Sequence, residues 1–191
     1  IEQADDMGYR IKLLGISQMT DAGLEQRMSP CLVPKRSPIG QLEGGTNMVV
    51  IEGDEVGRIV LGGPGAGEGP TASAVMSDII EIARGIRIST FGQSANTLVK
   101  SEPSRSVTPA PYYIRLRLKD QPGALAKIAT ILGQEGVSID RMRQYGHSEE
   151  TAPVLIVTHT TDRAALDVAL KKMHKTNVLD GTPVAMRIEN L

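Results

Sequence analysis

Aromatic residues and cysteine are scarce in this chain. There is no Trp, one Phe and four Tyr, so aromatic residues make up only 3% of the 191 residues. A hydrophobic core must therefore be built from aliphatic side chains, and a stacking platform for nucleic-acid bases is hard to assemble. The lone cysteine, Cys31, excludes an intrachain disulfide and a cysteine zinc site, which favours a reduced, cytoplasmic setting.

An excess of charge of one sign is also missing. The chain has 21 Lys and Arg against 22 Asp and Glu, with a formal net charge of −1. This balance removes the electrostatic reason to expect nucleic acid or an anionic membrane surface as a partner. No apolar run approaches the roughly 18 residues of a membrane span. The chain opens on Ile1 inside a charged segment without a signal-like leader, and we expect it to be a piece of a longer protein.

The pattern of residues 1–86 indicates mixed α/β structure. A short apolar run at 11–16 predicts a buried strand, and residues 47–52 with 58–61 predict a hairpin around a glycine-containing turn. The proline-rich stretch at 30–38 opposes a regular helix.

A glycine-rich segment, residues 62–70, precedes a predicted helix over 71–84. Thr71 is the expected N-cap and Gly85 the stop. Apolar residues at three- and four-residue spacing form the face expected to be buried: Val75, Ile79, Ile82 and Ala83.

Residues 87–110 change character and are rich in Ser, Thr and Pro, which is typical of a linker. The sequence therefore predicts a first domain over 1–86, a linker over 87–110 and a second domain over 111–191.

The second domain shows the order βαββαβ of the ferredoxin-like split unit. Residues 112–119 alternate strictly between apolar and cationic faces, as a half-buried strand does. Asp120 and Asp162 are the expected caps of the two helices. The remaining strands are predicted at 137–142, 154–158 and 183–189.

Such a sheet carries both helices on one face and leaves the other face bare, a surface that a second copy often covers. RNA binding, which this topology also supports, needs exposed aromatic residues on the two central strands. The outward positions there are Arg115, Arg117, Leu155 and Val157, with no ring among them. We therefore reject RNA binding and expect a homo-oligomer through the bare sheet face.

Two motifs in this domain resemble the ACT domain family. They are Asp120-Gln121-Pro122-Gly123-Ala124-Leu125 at the first strand-to-helix turn and Gly136-Val137-Ser138-Ile139 at the start of the second strand. The resemblance implies a regulatory module that binds an effector amino acid, threonine first of all, usually where two modules meet. The implied effector-binding residues are Asp120, Gln121, Pro122, Gly123, Ala124, Leu125, Ile139 and Asp140.

The chemistry of that loop suits an amino acid. Free N–H groups at a helix start attract a carboxylate, and Gly123 lets a ligand approach the backbone. Asp120 or Asp140 could receive the ammonium group. The alternative is that Asp120 only caps the helix, Gly123 only forms the turn, and the module only dimerises.

The glycine loop fails two phosphate-binding patterns. A phosphate loop needs Lys and Ser/Thr after its last glycine, where this chain has Glu68-Gly69-Pro70. A dinucleotide fingerprint needs a different glycine spacing inside a βαβ unit. From the residues alone, a structural strand-to-helix turn remains the simplest interpretation.

Three wider segments, residues 8–15, 47–50 and 62–75, are similar to the C-terminal half of the catalytic region of homoserine dehydrogenases. The run Gly62-Gly63-Pro64-Gly65-Ala66-Gly67 followed by Pro70-Thr71-Ala72-Ser73-Ala74-Val75 is the most specific of these motifs. The resemblance implies an α+β / α/β protein: a partial catalytic domain for substrate binding and dimerisation, followed by a ferredoxin-like ACT domain.

The implied parent enzyme interconverts L-homoserine and L-aspartate 4-semialdehyde with NADP or NAD, in threonine, methionine and isoleucine biosynthesis. The loop would lie near the nicotinamide end of the cofactor, with the binding residues Gly63, Gly65, Ala66 and Gly67. The catalytic-region sheet would be a second oligomer contact.

No residue of this chain receives a catalytic role, Lys12 included, because the family's catalytic Lys and Asp and its Rossmann fingerprint lie upstream of residue 8. We expect the chain alone to be inactive and to supply dimerisation and amino-acid feedback. The alternative is a non-catalytic amino-acid-binding or dimerisation module. His147, His159 and His174 are too far apart in sequence to suggest a metal site, and Cys31 is expected to be a packed thiol.

Overall fold

A computed structural model describes residues 1–146 and 150–191, so His147 lies outside the described residues. The chain divides into two compact units. Unit 1 comprises Ile1–Lys35 and Pro103–Asn190, and unit 2 comprises Arg36–Glu102 with Leu191. Within the described ranges, no helix is both long enough and apolar enough to cross a bilayer.

The described elements are, in chain order, α1 (Glu2–Asp6), β1 (Tyr9–Thr20), β2 (Gly23–Pro34), β3 (Thr46–Gly53), β4 (Gly57–Pro64), α2 (Glu68–Ala83), β5 (Tyr112–Lys119), α3 (Ala124–Gln134), β6 (Ile139–Gln144), β7 (Thr151–Thr158), α4 (Arg163–His174) and β8 (Val184–Arg187).

The second half of unit 1 confirms the predicted βαββαβ order. Its four strands form one antiparallel sheet in the order β6-β7-β5-β8, with α3 and α4 packed against one face. The core between sheet and helices is mostly aliphatic, in line with the scarcity of aromatic residues, and Tyr112 is its aromatic member. It includes Ile114, Leu116, Ile128, Leu132, Val154, Ile156, Leu166 and Met173.

A register shift in β6 explains why this strand has an irregular sequence pattern. Ile139 pairs with Thr158, whereas Arg141 pairs with the next residue along, Val157. A bulge of this kind adds a residue to one strand and changes which face the following side chains occupy. Met142 therefore departs from the alternation expected of an uninterrupted strand.

The opposite face of the sheet is covered in part by the chain's own first residues. Ala4 from α1, Tyr9 from β1 and Leu32 from β2 pack in one buried cluster with Tyr113, Leu155, Val157 and Ile188. The expectation of a bare face is therefore wrong for this part of the sheet. The cover comes from residues at least 81 positions away from the sheet residues that they contact, which no local pattern indicates.

The β1–β2 hairpin is longer and less buried than the sequence suggests. It pairs Tyr9 with Pro34 and continues to Thr20 opposite Gly23. Only part of it faces a core: Leu14 and Leu32 are buried, whereas Leu13 is 69% exposed. The predicted buried strand at 11–16 is thus one part of a long, mostly exposed ribbon that includes Pro30 and Pro34.

The end of the predicted linker is bound to unit 1. Ser104 donates its N–H to the Leu24 carbonyl at 2.8 Å, and Ala110 exchanges two backbone hydrogen bonds with Thr161. The predicted domain boundaries stay a prediction, but residues 103–110 are fixed to both β2 and the start of α4.

Unit 2 contains the predicted β3–β4 hairpin, with Thr46 opposite Pro64 and Gly53 opposite Gly57. Its helix α2 begins at Glu68, three residues before the predicted start, and ends before Gly85. The face expected to be buried is exposed: Val75, Ile79 and Ile82 expose 51–76% of their surface. Periodicity correctly indicates an amphipathic helix, but nothing in the described residues buries its apolar face.

Candidate functional site

The turn from β5 into α3 is held by backbone hydrogen bonds. Asp120 donates its N–H to the Glu150 carbonyl at 3.0 Å, and Lys119 donates to Val178 at 2.9 Å. Within the turn, Gln121 donates to Lys119 at 2.9 Å. These bonds fix the loop to the start of β7 and to the segment before β8, so the site is preorganised by the sheet.

Gly123 is the residue that starts α3. It has φ +82°, a left-handed conformation that favours glycine, and it is the N-cap position of the helix. The prediction that Asp120 is the N-cap of this helix is wrong, because Gly123 occupies that position. The N–H groups of Leu125 and Ala126, in the first turn, have no partner within a helix, which leaves them suited to an anionic ligand.

A cavity of about 260 Å³ lies at this helix start. It brings together most of the predicted effector residues, namely Asp120, Gln121, Gly123, Ala124 and Leu125, and adds Leu118, Lys119, Ala126, Gln144 and Ala152. Pro122 lies in the same turn but does not line the cavity. The sequence analysis does not predict Gln144 as a site residue. Its place at the cavity follows from the order of the strands in the sheet, and no sequence motif indicates it.

A wider depression of about 900 Å³ shares Lys119, Asp120 and Gln121 with that cavity. Arg117, Glu150, Thr151 and Asp180 complete its lining, and Arg117 pairs with Asp180 at 2.5 Å. Side chains of both charges therefore surround the mouth of the cavity. This suits a zwitterionic ligand better than a simple anion or cation.

Ile139 and Asp140 lie at the other end of the sheet. Ile139 pairs with Thr158, whereas Lys119 pairs with Thr151, at the opposite end of β7. Seven residues of strand separate these positions, roughly 23 Å. The structure does not bring these two predicted residues to the cavity of the same chain.

The glycine loop of unit 2 joins β4 to α2. A Cβ built on Gly65 would lie 1.8 Å from the Asn47 amide nitrogen, and Gly67 has φ +131° at the N-cap of α2. The conformation of Gly67 favours glycine, a Cβ on Gly65 would displace the Asn47 side chain, and a Cβ on Gly63 meets nothing within 4 Å. The prediction of Thr71 as the N-cap is wrong, because α2 starts earlier.

An open apolar groove of about 560 Å³ begins at this loop and follows the first turns of α2. It is lined by Gly67, Glu68, Thr71, Ala72, Val75 and Met76. Of the predicted cofactor residues, only Gly67 lines it. The loop offers backbone N–H groups and an apolar surface and holds no Lys or Arg side chain, which suits the uncharged part of a nucleotide better than its phosphates.

The described part of the chain offers no cluster of metal-binding side chains at either place. Within residues 1–146 and 150–191, no group of three or more His, Cys, Asp and Glu side chains is placed to hold a metal ion. Cys31 is fully buried next to Ser29, which confirms the prediction of a packed thiol.

Comparison with protein families assigns the two parts of the chain separately. Residues 1–80 match the family model of homoserine dehydrogenase, and residues 112–177 match that of the ACT domain. Each match covers the segment for which the sequence motifs suggest the same family.

Individual proteins match the chain over its whole length. A homoserine dehydrogenase of Neisseria gonorrhoeae is 35% identical over 199 residues, covering 100% of this chain and 46% of the relative. One of Helicobacter pylori is also 35% identical, covering 100% of this chain and 45% of the relative. The chain therefore spans less than half the length of these curated relatives.

Solved structures agree with this assignment. The crystal structure of a homoserine dehydrogenase from Thiobacillus denitrificans superposes with a TM-score of 0.86 at 33% identity, covering all of this chain and 44% of that one. A Staphylococcus aureus homoserine dehydrogenase, at 20% identity and a TM-score of 0.62, shares the fold.

Proposed function

We propose, from the premise that this chain corresponds to the C-terminal portion of homoserine dehydrogenases, that it is the regulatory portion of such an enzyme. The whole enzyme would interconvert L-homoserine and L-aspartate 4-semialdehyde with NAD or NADP, in the cytoplasm. The observation that carries the proposal is the succession of a homoserine dehydrogenase segment and an ACT domain in one chain.

The catalytic-region segment would supply the edge of the active site. The glycine loop, with Gly63, Gly65, Ala66 and Gly67, would let the backbone approach the nicotinamide end of the cofactor, because its glycines carry no side chain and Gly67 has φ +131°. Hydride transfer also needs an acid group at the substrate oxygen. No residue of this chain is assigned as that acid group, so we expect the 191 residues alone to show no catalytic activity.

The ACT domain would bind an amino acid, with L-threonine as the first candidate. The effector carboxylate would be held at the N–H groups of Leu125 and Ala126, and its ammonium group by Asp120. Ile139 and Asp140 could contribute only from a second copy of the domain, because they lie at the far end of the sheet of their own chain.

A homo-oligomer would bring those copies together. The exposed apolar side chains of β3 and β4, such as Val49, Val60 and Leu61, support a contact through this hairpin. We call the four-stranded sheet β6-β7-β5-β8 the ACT sheet. Its face opposite the helices offers a smaller surface for oligomer contact than the sequence suggests, since α1, β1 and β2 already cover part of it.

An assay of homoserine-dependent reduction of NAD and NADP tests the proposal. The 191-residue chain should show no turnover, and the protein with its upstream region should be active and inhibited by L-threonine. Gly123→Asn in that longer protein should keep the activity and lose the inhibition. Turnover by the short chain, or inhibition that survives Gly123→Asn, would contradict the assigned roles.

A further inference from the structure

A closed ring of buried charges joins the β1–β2 hairpin to the ACT sheet. We call it the charge ring: Glu25 and Arg27 on β2, Thr108 before β5, Arg187 on β8, and Glu189 just after it. Glu25 and Arg187 are only 4% and 8% exposed. The ring therefore connects three parts of unit 1 that are distant in sequence.

Each member of the charge ring contacts the next. Glu25 Oε2 accepts hydrogen bonds from the Thr108 N–H at 3.0 Å and from its hydroxyl at 2.6 Å. Glu25 Oε1 pairs with Arg27, whose Nη2 lies 2.6 Å from Glu189 Oε1. Arg187 closes the ring by donating to Glu189 at 2.5 Å and to the Thr108 carbonyl at 2.5 Å.

The negative charges of the two carboxylates in the ring equal the positive charges of its two guanidinium groups. Opening one contact would leave a buried charge without its partner, which costs far more than a weakened surface pair. Moving the β1–β2 hairpin away from the sheet therefore requires these paired charges to separate. Salt-bridge and hydrogen-bond networks of this kind can carry energetic coupling between two sites.

Strand β5 connects the ring to the candidate amino-acid site. At its first residue, the Tyr112 hydroxyl lies 3.5 Å from Arg187 Nη1, and Tyr112 pairs with Arg187 across the sheet. At its last residue, Lys119 lines the cavity and donates its N–H to Val178. Asp180, in the wider depression, donates its N–H to Arg117 on β5, and the chain then continues into β8.

We propose that the charge ring couples the amino-acid site of the ACT domain to the β1–β2 hairpin, so that ligand binding changes how the hairpin contacts the ACT sheet. This inference rests on the proposed effector function. It makes Thr108 and Glu189 positioning residues for regulation, because neither lines the cavity.

Backbone amide chemical shifts of the 191-residue chain, measured by NMR during titration with L-threonine, test this coupling. The amides of 120–126 report on the site, and those of 24–32 report on the hairpin. Both groups should shift with the same saturation curve. In Thr108→Val, which removes the hydroxyl bond to Glu25 and keeps both backbone bonds of residue 108, the site shifts should remain and the hairpin shifts should fall at least threefold.

Three further variants control the result. Thr108→Ser keeps the hydroxyl and should restore the hairpin response. Thr176→Val removes another half-buried threonine hydroxyl, one that donates to Met173 away from the ring, and should behave as the unmodified chain does. Glu189→Gln removes the carboxylate charge that Arg27 and Arg187 share and should repeat the effect of Thr108→Val.

The outcomes separate the coupling from the effector function. Site shifts without hairpin shifts, or hairpin shifts that survive both Thr108→Val and Glu189→Gln, overturn the coupling and leave the effector function standing. Absence of any shift with threonine, isoleucine, methionine or lysine contradicts the effector function and removes the coupling with it.

Discussion

Glu25 shows how one buried residue carries both stability and pH dependence. Burial opposes its charged form, but the Thr108 hydrogen bonds and the nearby Arg27 and Arg187 outweigh burial and lower its pKa below 4.5. A carboxyl whose pKa is lowered by folding stabilises the protein above its unfolded pKa. That contribution is lost as the pH falls through the lowered value.

We therefore expect Glu25→Gln to reduce the free energy of unfolding by about 3 kcal/mol at pH 7, because it leaves buried arginine charge uncompensated. The difference from the unmodified chain should shrink as the pH falls below 4.5. Urea unfolding at several pH values measures both effects. Glu52→Gln, in an exposed pair with Arg58, should change the same free energy by less than about 1 kcal/mol.

The pKa of Tyr113 measures how well α1, β1 and β2 bury this face of the sheet. Burial, followed by the nearby Tyr145, raises its pKa to about 12. Because the neutral form is favoured by folding, its stabilising contribution is complete below pH 10 and is lost as the pH rises toward 12. Absorbance at 295 nm should therefore show an ionisation near pH 12 that Tyr113→Phe removes. An unchanged titration in that variant would contradict the burial.

Little of this could be predicted at the residue scale. Glu25 stands among polar residues at the start of a strand and has the local pattern of a solvent-exposed position. Its burial depends on Thr108 and Arg187, 83 and 162 residues further along the chain. Gly123, by contrast, could be assigned to a turn from its neighbours alone, because glycine with positive φ is a local requirement.

At the scale of elements, the hairpin β1–β2 is the cover of the ACT sheet. Leu32 is fully buried in that contact, whereas Leu13 on the paired strand is 69% exposed. Leu32→Ala should lower the free energy of unfolding by about 2–5 kcal/mol, and Leu13→Ala by less than about 0.5 kcal/mol. Equal effects in urea unfolding would show that the hairpin does not pack on the sheet.

The two left-handed glycines that flank α3 give a matched test of the site. Gly123 and Gly136 have φ +82° and +72°, and a Cβ on either meets nothing within 4 Å. Asn tolerates this conformation, so both substitutions should leave the melting temperature nearly unchanged. We expect L-threonine to raise the melting temperature, and only Gly123→Asn should abolish that rise, because Gly123 lines the cavity and Gly136 does not.

Elements with local patterns were predicted well, and elements that depend on distant contacts were not. The alternation in β5 and the spacing in α3 and α4 were sufficient to predict the βαββαβ order. The spacing of the apolar residues in α2 indicates that one face of this helix makes a contact, but it does not indicate which surface that face contacts. The prediction of a buried strand at 11–16 misses the β1–β2 hairpin, because the buried residues of this hairpin contact a sheet that begins only at residue 112.

At the scale of the whole molecule, the two units differ in how completely they are packed. Unit 1 has two buried clusters, one on each face of the ACT sheet. Unit 2 exposes apolar side chains on β3, β4 and α2, among them Val49, Leu61 and Ile82. Exposed apolar surface of this extent marks interaction sites. This difference agrees with the proposed function, in which unit 2 would contact the remainder of a longer enzyme or a second copy and unit 1 would carry the regulatory role.

The central claim is that this chain binds an effector amino acid without performing catalysis. Isothermal titration calorimetry of the 191-residue chain with L-threonine tests it most directly. The account predicts a saturable heat of binding that is absent in Gly123→Asn and retained in Gly136→Asn. Absence of heat with threonine, isoleucine, methionine and lysine alike, or equal heat in Gly123→Asn, would contradict it.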